Sequence, residues 1–309
     1  MSAPHTPRVN LYGAIAANRA RTVFLIIAFG VIVAALAYVV GEYLAPGGGF
    51  ALAPLSMIVS GGSAFVSYYA GDKLVLAQSA AREIGPDEEK VLRSVVESLA
   101  LGLGIPVPRV YVIDDSAPNA FATGRDPKHA SIAVTRGLLD KLDRGELEGV
   151  IAHELSHIGN RDIRVMLLVT ILVGMVALLA DWMLRSMVWG GGGRRRNREG
   201  SSGGGIIVVL ALALALLPPI IATLIQLAVS REREYLADAS GALLTRYPAG
   251  LADALRKIDA DQEPLEVANK ATASLYIANP LRDRRALFDG LFNTHPPIAE
   301  RIKRLEAMG

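Results

Sequence analysis

The chain contains no cysteine, so it can form no disulfide and offers neither a thiol nucleophile nor a thiolate metal ligand. Histidine is scarce too, with five in 309 residues, and imidazole chemistry is confined to a few positions. Charge of either sign is nearly balanced at +2, which points to no particular partner. What the chain has in quantity is apolar surface. A hydrophobic content of 51% and a mean hydropathy of +0.35 are too apolar for an ordinary soluble protein, so the lipid bilayer is an expected partner.

Four stretches are long enough to cross a hydrocarbon core of about 30 Å, which needs roughly 17 to 25 residues. They cover residues 22–40, 51–70, 165–184 and 206–229. The second is interrupted by Pro54, Ser56, Ser60, Gly61, Gly62 and Ser63, although small residues are also what close helix packing in a bilayer uses. The first exceeds the roughly 7 to 15 apolar residues of a signal peptide and reads as an uncleaved anchor. Lysine and arginine accumulate on cytoplasmic flanks. Arg8, Arg19, Arg21, Lys73, Arg82, Arg161, Arg164, Arg231 and Arg233 would share that side, and the loop 41–50 has no basic residue. The arginines at 194–196 and 198 run against this scheme. A multi-pass protein of the cell (inner) membrane with its soluble parts on the cytoplasmic side is expected.

The organisation that follows is an N-terminal membrane hairpin over 1–75, a first soluble part over 76–164, a third span over 165–189, a Gly- and Arg-rich linker over 190–205, a fourth span over 206–229 and a second soluble part over 230–309. Within the first soluble part, Val91, Leu92, Val95, Val96, Leu99 and Leu103 recur at helical spacing after Pro86 and before Gly104. Strand candidates follow at 109–113, 119–123 and 130–135, separated by turn-forming stretches. The last helix, after Pro296-Pro297, carries Ile298, Ile302 and Leu305 on one face. The expected fold is α+β and mainly helical, with about four transmembrane helices and a soluble domain containing a small sheet.

Two of the five histidines fall in His153-Glu154-Leu155-Ser156-His157. On a helix, residues four apart share a face, so both imidazoles can reach one metal ion with Glu154 beside them as general base. Asp143 and Glu146 make a capping-box start, and Leu147, Val150, Ile151, Leu155 and Ile158 supply an apolar stripe. A catalytic zinc needs a third protein ligand and an open position, and two histidines plus a carboxylate is an established hydrolase set. Glu234, in Ser230-Arg-Glu-Arg-Glu-Tyr-Leu-Ala-Asp238, is the strongest candidate, with Glu232 its rival. Asp238, one turn on, would hold a ligand imidazole through its second ring nitrogen. Taken alone, an Arg-Glu-Arg-Glu run is a solvated helix face; the upstream pentad changes that reading. His157 precedes the third apolar segment and Glu234 follows the fourth, so two crossings return the chain to the same side. His295, before Pro296-Pro297, is a candidate electrophile for a developing oxyanion. One zinc per chain is expected.

These motifs resemble the HtpX-type membrane zinc metallopeptidases, relatives of the Ste-type CAAX prenyl proteases. The resemblance is carried by Pro118-Asn-Ala-Phe-Ala-Thr-Gly124, Thr135-Arg-Gly-Leu-Leu139, His153-Glu-Leu-Ser-His-Ile-Gly-Asn-Arg-Asp162, Arg233-Glu-Tyr-Leu-Ala-Asp238 and Thr294-His-Pro-Pro297. It implies a zincin-like catalytic domain, a four-span inner-membrane protein and a cytoplasmic zinc endopeptidase acting on misfolded or unassembled membrane proteins. It further implies that Asn119, Ala120 and Phe121 belong to an edge strand that pairs with extended substrate main chain. A prenyl protease and a non-catalytic scaffold with a structural metal are the alternatives. Structural zinc takes four protein ligands, and the lack of cysteine weighs against the scaffold.

Overall fold

A computed structural model of the chain describes residues 11–44, 47–190, 231–269, 272–281 and 296–309. The fourth apolar stretch, the Arg-rich part of the linker and His295 lie outside the described residues. Two long helices come first, α1 (Leu11–Leu44) and α2 (Gly48–Gln78), packed against each other. After a two-residue strand β1 (Arg82–Glu83) come α3 (Lys90–Leu103), β2 (Arg109–Ile113), β3 (Ala120–Gly124) and β4 (Ala130–Thr135). Then follow α4 (Arg136–Lys141), α5 (Arg144–Gly159), α6 (Asp162–Gly190), α7 (Arg231–Thr245), α8 (Pro248–Ala260) and α9 (Ile298–Glu306). The described residues are mainly helical with one small mixed sheet.

The sheet has the order β1-β2-β4-β3, with β2 and β4 parallel and the two outer pairings antiparallel. Strand side chains alternate between faces. Val110, Val112, Ala120, Ala122, Ile132 and Val134 face one core with α3 and α5, while Tyr111, Ile113, Phe121 and Ala133 face a second core with α2 and α6. Both faces are covered, which is why these strands read as near-continuous apolar runs. Asp72, buried in α2, adds an ion pair to Arg109 at 3.1 Å and ties the long helix to β2.

Local chemistry accounts for the helix ends. Gly104 ends α3 with φ +65, a left-handed conformation that glycine adopts without steric cost. Asp143 caps α5 by accepting from Glu146 N at 2.9 Å, while Glu146 Oε2 accepts from Asp143 N at 2.8 Å and from Lys257 Nζ of α8 at 2.6 Å.

Among the described residues no single helix is long and apolar enough to cross a membrane. One bent pair, Gly48–Ser63 and Tyr68–Gln78, passes that test together, with a bend of 68°. The bend follows Gly61, Gly62 and Ser63, small residues of the kind at which helices kink.

Candidate metal centre

Helix α5 presents His153 and His157 on one face, and α7 crosses it closely. A Cβ on Gly241 of α7 would lie 3.1 Å from His153 N, tighter than ordinary contact, so the two helix backbones are close here. Two helical turns before Gly241, Glu234 meets both imidazoles. Its Oε2 is 3.6 Å from His153 Nε2, its Oε1 is 3.6 Å from His157 Nε2, and the two Nε2 atoms are 3.2 Å apart. All three residues are buried.

The other ring nitrogens have carboxylate partners. His153 Nδ1 is 2.9 Å from Asp238 Oδ1, and His157 Nδ1 is 3.1 Å from Asp162 Oδ2. With each Nδ1–H donating to a carboxylate, both Nε2 atoms turn towards Glu234. Their closeness calls for a cation between them: a proton on His157 in the metal-free chain, or a metal ion in its place. Ligands about 2.0 to 2.1 Å from a tetrahedral zinc lie roughly 3.3 to 3.4 Å apart, close to the three separations observed. The donor set therefore fits a zinc ion.

Asp162 opens α6, and its other oxygen lies 3.5 Å from Arg233 Nη1 of α7. Asp238 is clasped by Arg301 of α9, with Nε to Oδ2 at 2.9 Å and Nη2 to Oδ1 at 2.7 Å. Arg301 Nη2 also lies 3.4 Å from His153 Nδ1, but Asp238 is nearer to both groups and is the acceptor they share. Around the imidazoles, the buried carboxylates of Glu154, Asp162, Glu234 and Asp238 outnumber the guanidinium groups of Arg233 and Arg301. A divalent cation offsets that excess.

These surroundings shift the site's titrations. Burial pushes the Glu154 carboxyl up to about 7, with the Glu234 charge adding to the shift and the nearby His157 and Ala122 N–H opposing it. Burial pulls the His153 imidazole down to about 4, helped by Arg301. Burial also opposes the charged form of His157, but the Asp162 hydrogen bond and the Glu234, Asp162 and Glu154 charges outweigh it and raise the group to about 9. For Asp238, burial is likewise outweighed, here by Arg301 and His153, and its carboxyl falls to about 2.

The pentad histidines, Glu154, Glu234 and Asp238 thus meet at one place. Glu232 is exposed on the same helix and is not in this group. Asn119, just before β3, and Ala120 and Phe121 at the start of that outer strand are all buried. Sequence reasoning did not single out Asp162 or Arg301. Both carried a signal. Asp162 is a carboxylate at the start of the helix after the pentad, and Arg301 shares the buried face of Ile298, Ile302 and Leu305.

The profile of peptidase family M48 matches residues 86–309. The chain is 45% identical over 299 residues to a "Protease HtpX homolog" of Tropheryma whipplei (strain Twist), covering 97% of this chain and 99% of that one. A protein of the same description from Dictyoglomus thermophilum is 44% identical over 301 residues, covering 96% and 95%. Another, from Listeria monocytogenes serotype 4b (strain F2365), is 45% identical over 310 residues, covering 96% and 100%. Among solved structures, the crystal structure of S. mikatae Ste24p aligns with a TM-score of 0.43 at 22% identity, over 82% of this chain and 64% of that one.

Proposed function

The chain belongs to peptidase family M48 and is a membrane zinc protease of the HtpX kind, and from that premise we propose how its own residues carry out peptide hydrolysis. His153, His157 and Glu234 hold the zinc. A bound zinc supplies Lewis acidity, which brings the pKa of water towards neutrality and polarises a carbonyl. Glu154, with its carboxyl raised to about 7, takes a proton from the attacking water and returns it to the leaving amine. Asp238 and Asp162 keep both imidazoles in the tautomer that turns Nε2 towards the metal. His295 steadies the developing oxyanion.

The reading extends to the substrate and the membrane. The substrates are polypeptides, chiefly misfolded or unassembled membrane proteins, and their extended main chain pairs along β3 at Asn119, Ala120 and Phe121. Four spans carry the catalytic halves 76–164 and 230–309 on the cytoplasmic face of the cell membrane. What supports this is the composition, the basic flanks of the apolar segments, and a second core in which α2 and α6 pack directly on the sheet.

One observation carries the chemistry: the paired Nε2 atoms at 3.2 Å and the Glu234 carboxylate converge while each Nδ1 is held by a separate carboxylate. The test is zinc content together with cleavage of an unfolded polypeptide by the full chain in phospholipid nanodiscs. Glu154→Gln is expected to keep about one zinc and to lose at least about a hundredfold in rate. A variant that retained proteolysis would sink the mechanism.

A further inference from the structure

Strand β3 lies at one edge of the sheet, yet its outward main chain is already engaged. Ile277 N donates to Ala120 O at 2.9 Å, Asn119 Nδ2 donates to Ala278 O at 3.1 Å, and Arg301 Nη1 donates to Ile277 O at 3.0 Å. Residues 276–278 thus receive the contacts an edge strand offers an extended peptide: an edge carbonyl for the N–H, and side-chain donors for two successive carbonyls. Tyr276 anchors this stretch. Its ring meets Phe121 edge-on at 5.0 Å, and its hydroxyl donates to Ser79 Oγ, at the end of α2, at 3.2 Å.

We propose that Asn119, Ala120 and Arg301 form a main-chain subsite for the polypeptide substrate, and that the resting chain fills this subsite with its own residues 276–278. The proposal rests on the protease reading above. It adds Arg301 as a substrate-binding residue and makes Tyr276 the latch of a self-occupied cleft. An incoming peptide exchanges hydrogen bond for hydrogen bond along β3, so the cost of opening comes chiefly from the Tyr276 and Ile277 side chains, both buried. Apparent affinity for substrate is then reduced by the fraction of chains that are closed. A subsite that reads main-chain groups selects unfolded segments over any particular side-chain sequence.

The test uses the zinc-loaded full chain in phospholipid nanodiscs with unfolded casein as the probe. Tyr276→Phe and Ser79→Ala remove the same latch hydrogen bond from opposite sides, and each is expected to lower KM by about 2- to 10-fold with little change in kcat. A merely structural role for the contact would lower activity instead. In Glu154→Gln, amide exchange at Ile277 is expected to speed up at least about tenfold when casein binds. An Ile277 amide still protected under bound casein, or an unchanged KM in both variants, overturns the proposal. Wild-type protein that binds no zinc and cleaves no casein counts instead against the protease reading, and the exchange measurement then decides the subsite by itself.

Discussion

His157 and Asp162 are five residues apart and hydrogen-bonded through Nδ1 and Oδ2 at 3.1 Å, although α5 has ended between them. Arg161, at φ +59, makes the turn that permits this. The carboxylate that orients one imidazole is therefore also the first residue of a long apolar helix, and the position of α6 bears on the metal centre.

Asp162→Asn keeps the shape but loses the charge that fixes the His157 tautomer. Zinc affinity is expected to fall about 10- to 100-fold, as measured by competition with a chelating dye. Asp162→Glu is expected to recover part of it.

Arg301→Met leaves the Asp238 carboxylate buried without its guanidinium partner. The expected cost is about 3 to 5 kcal/mol, read as a fall in the thermal midpoint of the zinc-loaded chain, with the Asp238 carboxyl moving up from about 2.

The His157 shift predicts opposite pH trends for the metal-free chain and for metal binding. Its pKa is raised from 6.5 to about 9, so in the metal-free chain this interaction stabilises the fold fully below 6.5 and is lost as pH rises through 9. Zinc must displace that proton, so zinc affinity is expected to rise with pH by about tenfold per unit across the same window. Calorimetry in buffers of different ionisation heat is expected to show about one proton released per zinc at pH 7.5.

Asp143→Ala removes the cap of α5, far from the metal. Stability is expected to fall by about 0.5 to 2 kcal/mol with zinc affinity nearly unchanged, as measured by thermal unfolding and chelator competition.

The parts of the fold legible in the sequence are those with local chemistry behind them. The capping box and apolar stripe of α5, the helix carrying Glu234 and the three longer strands follow from spacing, with β3 displaced by one residue from 119–123 to Ala120–Gly124. Strand β1 was not legible, because Arg82 and Glu83 are both exposed and two residues show no alternation. Helix α3 starts at Lys90 rather than just after Pro86, since Glu89 takes a left-handed backbone conformation that interrupts the run. Asp162 and Arg301 escaped notice for a different reason. Each acts through a long-range partner, and a charged residue at a helix start or on an apolar stripe has no unique local reading. Tyr276 has no local signal at all; its role arises only where its loop meets Phe121 and Ser79.

The metal centre is assembled from residues that a ribosome delivers in a fixed order. His153 and His157 are made first, Glu234 only after two further apolar stretches, and Arg301 a further 63 residues beyond Asp238. At roughly 5 to 20 residues per second, about 7 to 30 seconds separate Glu154 from Arg301. Until Glu234 has been made, a nascent chain carries Glu154 beside an incomplete set of candidate metal ligands. The guanidinium that clasps Asp238 arrives later still, with α9.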